Sequence, residues 1–153
     1  MCGGREKTSS TSGFSSNTAQ NVYNSNSTTC ANNTPCYSYY TYAAATAGTN
    51  PSSGAATSDI CPSGWRLPTQ AEFNTLKSTY TTGATLTASP FLGVYGGYYS
   101  NSSFYNGGSS GYYWSSTANY SSYAYSLYFY SSYAAVNYDY KYNGASVRCV
   151  AQE

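Results

Sequence analysis

Cys61-Pro-Ser-Gly-Trp-Arg-Leu-Pro-Thr69 runs directly into Gln70-Ala-Glu-Phe-Asn-Thr-Leu-Lys-Ser-Thr-Tyr80. Thr69 and Glu72 stand at capping-box spacing, where the hydroxyl takes an orphan amide and the carboxylate reaches back. Phe73, Leu76 and Tyr80 follow at helical spacing, so the pattern predicts an amphipathic helix over Gln70–Tyr80, with Gly83 as its stop. Trp65 and Leu67 precede the cap and are expected to pack on that helix face.

Towards the C-terminus, residues 90–111 are Gly, Ser, Asn and Tyr without clean alternation and read as long irregular loops. Strand patterning begins at Tyr112. Tyr112–Ser116 is one strand and Tyr123–Tyr130 the next, with Tyr125, Leu127 and Phe129 on one face and Ala124, Ser126, Tyr128 and Tyr130 on the other. Ser131-Ser132 is a turn and Tyr133–Tyr138 a third strand. Gly144 marks a bend, and Ala145, Val147 and Cys149 alternate on a last strand. The C-terminal third is therefore an antiparallel meander.

Towards the N-terminus, residues 48–59 are a loop by composition. Tyr37–Ala47 is apolar and aromatic, with a short helix or buried segment near Tyr42–Ala47. Residues 1–35 read as a flexible Ser/Thr/Asn-rich tether with a late hairpin held by Cys30–Cys36. The folded domain is then residues 36–153.

Leu, Val, Ile and Phe together number only 16 of 153 residues, against 21 Tyr and two Trp. The net charge is +1, so the high charge that accompanies disorder is missing. The core must be aromatic, with phenol hydroxyls led to water or backbone partners. Scattered basic residues imply no nucleic-acid partner, because counterion release needs clustered Lys or Arg. No apolar run approaches the roughly 20 residues of a membrane helix. No signal peptide is visible, so any export signal is expected to have been removed or to be left out of this sequence. The five Cys are Cys2, Cys30, Cys36, Cys61 and Cys149, and there is no His. Two disulfides, Cys30–Cys36 and Cys61–Cys149, plus one odd Cys is the simplest account and implies an oxidising compartment. The alternative is five buried free thiols in a cytosolic protein.

No catalytic constellation appears, and the chain is not expected to be an enzyme. A triad lacks its His, and the carboxylates Glu6, Asp59, Glu72, Asp139 and Glu153 are not paired at useful spacing. No cofactor or metal is implied, since calcium usually asks for several carboxylates. Arg66 and Arg148 read as structural ion pairs or backbone clamps ahead of ligand anchors. Between residues 95 and 142 stand 15 of the 21 tyrosines, interleaved with Ser, Asn, Gly and Ala. Tyr113 and Tyr125 are expected to pack the sheet. Alternation turns about half of the rest outward, and Tyr with Ser, Gly and Asn is the composition of antibody loops. The candidate ligand-binding face comprises Tyr128 and Tyr130, joined by Tyr120, Tyr133, Tyr138 and Tyr140.

The motifs Cys61–Thr69, Glu72-Phe73, Tyr113-Trp-Ser-Ser-Thr117, Leu127-Tyr-Phe129 and Gly144-Ala-Ser-Val-Arg-Cys-Val150 resemble the Fibrobacter succinogenes major paralogous domain. The match covers about residues 36–150. It implies an α+β, C-type-lectin-like fold with one or two short helices, a small twisted antiparallel sheet and long irregular loops. It also implies a secreted or cell-surface bacterial protein. Trp114-Ser-Ser stands where calcium-dependent lectins carry Trp-Asn-Asp, so calcium-dependent sugar binding is not implied. Residues 95–148 also resemble the variable region of diversity-generating retroelement proteins, in which such Tyr sites are hypervariable. Met1-Cys2-Gly3-Gly4 before a polar tether resembles a mature lipoprotein start, with the lipid on Cys2 as the one membrane attachment. The expected function is an adhesin-like module taking a glycan or protein ligand, with a self-associating pilin- or fibre-like subunit as the competing class.

Overall fold

A computed structural model describes the backbone of Val22–Asn24 and all of residues 38–153. The Cys30–Cys36 link, Cys2 and most of the 1–35 segment lie outside the described residues. Strand β1 (Val22–Asn24) pairs antiparallel with β2 (Ser38–Tyr40), which leads into helix α1 (Tyr42–Ala45). Short β3 (Gly54–Ala55) and β4 (Trp65–Arg66) precede helices α2 (Gln70–Thr79) and α3 (Gly83–Leu86). A hairpin follows, β5 (Tyr98–Ser100) with β6 (Ser103–Tyr105). The main sheet has the order β3-β7-β8-β9, with β7 Ser110–Tyr120, β8 Tyr123–Tyr130 and β9 Tyr133–Tyr140. Strand β10 (Val150–Ala151) closes on β4. This is the α+β, C-type-lectin-like architecture of small antiparallel sheets and long connections, with three short helices where one or two were expected.

The meander arises because β7, β8 and β9 are joined by the two-residue turns Ser121-Ser122 and Ser131-Ser132. One sheet face carries Tyr113, Leu127, Phe129 and Ala134, sealed by Phe73 of α2, Leu86 of α3 and Phe91. On the other face Trp114, Ala118 and Ala124 pack against Tyr40, Tyr42, Ala44, Ala45, Leu67 and Ala145. Each face is thus covered in part: α2 and α3 seal the Leu127–Phe129 end of one side, leaving Tyr138 and Tyr140 exposed, and the β2–α1 segment seals the Trp114 end of the other. Cores this poor in aliphatics rely on ring contacts: Tyr42 meets Trp114 edge-on at 5.6 Å, and Phe91 meets Tyr113 edge-on at 5.3 Å. Such geometry suits the ring quadrupoles. Gly111 lies directly opposite Phe129 across the sheet. A Cβ there would run into the Phe129 ring, so the missing side chain lets the ring lie flat on the strand.

The register breaks between Trp114 and Ala118. The Ser-Ser-Thr run inside that bulge spends its polar groups on neighbouring segments. Ser116 accepts at its carbonyl from the Tyr42 hydroxyl (2.6 Å) and the Ala56 amide (2.8 Å), and its own amide donates to the Pro68 carbonyl (2.7 Å). The Thr117 hydroxyl takes the Gln70 amide at the start of α2 (3.0 Å). Ser115 donates its hydroxyl to the Tyr125 carbonyl (2.8 Å).

The Cys61–Thr69 loop is tied in three ways. Cys61 bonds Cys149, 88 residues away. The Asp59 carboxylate accepts the amides of Cys61 (2.9 Å) and Leu67 (3.0 Å). Glu72 closes the capping box with Thr69 and grips Arg66 through both oxygens, at 2.6 and 2.7 Å. Trp65 does not pack on α2 as expected: it is 49% exposed, because β4 pairs with β10 and alternation turns Trp65 outward. Leu67 is buried beside Trp114 on the other side of the sheet from the Phe73 cluster. Gly83 does not stop α2. It opens α3 behind the Thr82 cap, where a Cβ would strike the Tyr130 carbonyl. Residues 90–111 are more regular than expected, since β5 and β6 pair through Asn101-Ser102, both at positive φ. Ala145, Val147 and Cys149 form no strand. The segment makes single bridges to Tyr99, Tyr40 and Tyr113 through Gly144, Ala145 and Ser146.

Phe129 has no exposed surface and touches both the helices and the glycine opposite. Phe129→Ala is expected to cost about 3–5 kcal/mol in urea unfolding. Hydrogen bonding from Arg66 lowers the Glu72 carboxyl from its usual 4.5 to about 2. A depressed carboxyl contributes stability that is present above the unfolded pKa and is lost as pH falls through the folded one. Stability should therefore drop between about pH 4.5 and 2, and Glu72→Gln should flatten that slope in unfolding titrations across the same range.

Candidate functional site

Antiparallel pairing of β8 with β9 sets Tyr130 opposite Tyr133, Tyr128 opposite Ala135, Ser126 opposite Asn137 and Ala124 opposite Asp139. These residues share the face that carries Tyr112 and Trp114 of β7, since Tyr112 lies opposite Tyr128. Only the Trp114 end of this face is roofed by the β2–α1 segment. Over the rest, tyrosine rings adjoin one another in a continuous band. Tyr105 stacks on Tyr98 at 5.2 Å, Tyr98 meets Tyr112 at 4.9 Å and Tyr112 meets Tyr128 at 4.8 Å. Tyr128 then contacts Tyr130 and Tyr133, which stack on each other at 5.3 Å. The β5–β6 hairpin thus extends the sheet's aromatic surface, and Phe104 in the middle of β6 packs on Tyr39 and Tyr99.

The candidate tyrosines do not form one patch. Tyr128, Tyr130 and Tyr133 belong to this band. Tyr138 and Tyr140 lie on the opposite face, because they pair with Tyr125 and Tyr123 and strand alternation keeps those apart from Tyr128. There they make a second cluster: Tyr123 lies 4.6 Å from Tyr140 and 5.5 Å from Tyr138, and Tyr140 stacks on Tyr142 at 4.9 Å. Tyr138 is 56% exposed. Tyr120 is 67% exposed beside the Ser121-Ser122 turn, opposite Tyr123. Tyr113 is buried and Tyr125 half-buried, with its hydroxyl donating to Asn119 at 3.1 Å. Tyr98, Tyr105 and Tyr112 enter the band without having been singled out in the sequence. Tyr98 and Tyr105 sit on the β5–β6 hairpin, which residue patterning did not reveal, and Tyr112 joins them because the β7–β8 register sets it opposite Tyr128.

One acid, Asp139, shares the sheet face that carries the band. Asp139 is partly buried, and burial raises its carboxyl above the usual range, although the Ser126 hydroxyl donates to it and opposes that shift. Burial likewise pushes the Tyr112 phenol up to about 12, and Asn106 donates an amide hydrogen to it at 3.1 Å. No described basic group faces the band. Arg66 is paired with Glu72. The Arg148 guanidinium lies 6.0 Å from the centre of the Phe91 ring, within the range of a cation–π contact, away from the band. Lys141 is almost fully buried, donates to the Pro51 carbonyl at 2.6 Å and lies over the Tyr42 ring at 5.1 Å. Burial lowers its pKa. This clamp ties the 48–53 loop to the end of the sheet, and nothing in the sequence marks that lysine as an interior one. Among the described residues no group of three or more His, Cys, Asp or Glu is placed to hold a metal ion.

The family model of the Lcl C-terminal domain matches residues 28–151. The chain belongs to this family. The matched span of the Lcl C-terminal domain holds the Cys61–Thr69 loop, the Trp114 bulge and the Gly144–Val150 segment, the motifs that carry the paralogous-domain resemblance. It begins inside the stretch read as a tether. No curated protein and no solved structure gives a significant match. Among the described residues of this Lcl C-terminal domain, no helix is long and apolar enough to cross a membrane.

The paired change Tyr130→Ser with Tyr133→Ser removes two exposed rings that stack mainly on each other. The loss should stay below about 1 kcal/mol per residue in urea titration. A loss matching that of Phe129→Ala would make these tyrosines part of the packing.

Proposed function

We propose that this Lcl C-terminal domain is a secreted or cell-surface binding module, adhesin-like in character, that engages a protein or glycan ligand through the tyrosine band. The supporting observation is the continuity of the band, in which six rings from β5 to β9 adjoin one another on a face that the β2–α1 segment leaves open. Large contiguous apolar patches on a protein surface commonly mark interaction sites. Tyr supplies contact area at little loss of rotamer entropy, and flanking Ser and Asn adapt their hydrogen bonds. Asn137 is exposed beside the band, and Ser126 lies beneath it. The Cys61–Cys149 bond supports an oxidising, extracytoplasmic setting.

The retroelement resemblance fits the same reading in a more specific form, with the exposed tyrosines as diversified positions. Its support is the segregation of residues: Trp114, Leu127 and Phe129 are sealed in the core, while Tyr120, Tyr130, Tyr133, Tyr138 and Tyr140 are exposed. Diversification could then alter the face without touching the scaffold.

Labelled protein should bind intact cells or an immobilised glycan set saturably. A Tyr128→Ser, Tyr130→Ser, Tyr133→Ser variant that keeps its fold by circular dichroism should lose about tenfold or more in affinity. Tyr120→Ser with Tyr138→Ser, on other parts of the surface, should bind within about twofold of the parent. Unchanged binding by the first variant would move the site elsewhere. Concentration-dependent assembly in light scattering, abolished by that variant, would instead favour a self-packing subunit.

A further inference from the structure

Among the described residues, Asp139 has no counter-charge. It stands on β9, opposite Ala124 and on the sheet face that carries Ser126, Tyr128 and Tyr112. One carboxylate oxygen takes the Ser126 hydroxyl. The other has no hydrogen-bond donor among the described residues, and it is not among the side-chain atoms sealed from solvent without a partner. The ion pair between Arg66 and Glu72 lies elsewhere, and Lys141, two residues along the chain, is committed to the Pro51 carbonyl and the Tyr42 ring. A partly buried carboxylate left unpaired costs stability unless something of opposite charge meets it.

The surroundings also favour a cation. The Asp139 carboxylate meets the Ser126 hydroxyl, and the next residue of β8 on the same face, about 7 Å along the strand, is Tyr128, with Tyr112 opposite it. Aromatic faces carry the negative side of their quadrupole outward and attract ammonium and guanidinium groups. An anionic ligand would find repulsion there and, among the described residues, no basic group to receive it. Lys77 stands on α2, which packs on the opposite face.

We infer that the tyrosine band together with Asp139 is a cation-accepting subsite, built to receive a Lys or Arg side chain presented by a protein partner. This rests on the proposed binding role of the band and specifies the charge of what it binds. The ammonium or guanidinium would lie over the Tyr112–Tyr128 rings with its charge towards the free oxygen of Asp139. Adjoining tyrosines would cover the aliphatic stem. A different reason for the same acid is protection of β9, which is an edge strand. Inward-pointing charges discourage edge-to-edge pairing.

The two roles separate experimentally. Tyrosine-ring NMR shifts of the full chain would be followed during titration with N-acetyl-lysine methylamide, tetramethylammonium chloride and the neutral N-acetyl-norleucine methylamide. Both cations should shift the band resonances and the neutral probe should bind about tenfold more weakly. Asp139→Asn keeps the shape and the Ser126 contact. It should reduce cation affinity about tenfold, remove most of its salt dependence, and leave the melting temperature unchanged or higher. Equal response to neutral and cationic probes, or an Asp139→Asn variant that binds cations unchanged, would overturn the inference. A variant that binds unchanged but newly self-associates would assign Asp139 to edge protection instead. Loss of cell binding in the Tyr128, Tyr130, Tyr133 variant alongside probes that do not discriminate charge would leave the binding face standing and remove only the cation.

Discussion

The break in register at Trp114–Ala118 is the constraint on which the rest of this fold depends. A regular strand spends its amides and carbonyls on its two neighbours. Where β7 bulges, those groups point elsewhere and become available to other segments. Tyr42, Ala56 and Pro68 take them up, and the Thr117 hydroxyl in the same bulge accepts the Gln70 amide. The Trp114 indole meanwhile donates to the Tyr40 carbonyl at 2.6 Å. One irregular turn of backbone therefore sets α1, the 48–59 loop, the Cys61–Thr69 loop and the start of α2 against a single sheet. With few aliphatic side chains to hold these parts together, hydrogen bonds directed at fixed positions supply order that packing alone would not. A buried donor or acceptor left without its partner costs more than the bond contributes, so each of these contacts excludes alternative placements.

The aromatic core follows from the same shortage. Tyr42 is fully buried, and burial raises its phenol well above its ordinary range. It remains neutral and delivers its hydroxyl to the bulge. The Tyr39 hydroxyl similarly reaches the Gly96 carbonyl, and the Tyr113 hydroxyl accepts the Val94 amide at 2.9 Å. A tyrosine inside this protein is thus both a packing unit and a tether to a neighbouring segment. Phe could fill the same volume but would give up that hydrogen bond. This explains how a chain with so little Leu, Ile and Val keeps long connections in place.

Legibility in the sequence tracked the contrast between residue types. The α2 helix could be read because Phe73 and Leu76 stand out from polar neighbours, and because the Thr69–Glu72 box is a local device. Strand β8 could be read because Leu127 and Phe129 mark one face. The β5–β6 hairpin could not, since Tyr98, Tyr99, Phe104 and Tyr105 alternate with nothing clearly polar or apolar. Gly83 carries the same letter whether it ends a helix or clears a carbonyl, and only the approach of Tyr130 distinguishes the two. Grouping Tyr138 and Tyr140 with Tyr128 failed for a simpler reason. Exposure was inferred strand by strand, whereas the shared face depends on which residue pairs with which across the Ser131-Ser132 turn. The burial of Lys141 depends on a carbonyl supplied 90 residues away, at Pro51, and no local pattern encodes it.

The division between scaffold and face has a physical consequence. Tyrosines in the band contact mainly one another, while Trp114, Tyr42 and Phe129 contact the bulge, the helices and the glycine opposite. Substitutions in the first group remove exposed area and a ring contact, effects of about 1 kcal/mol or less at each position. Substitutions in the second open cavities or strand a polar group, at several kilocalories each. Such a fold tolerates many versions of its surface on one interior. Asp139 belongs to neither group, since it lies on the face yet is partly buried and has no counter-charge among the described residues. A residue held at a cost to stability, on a surface otherwise free to change, is best explained by what that surface must meet.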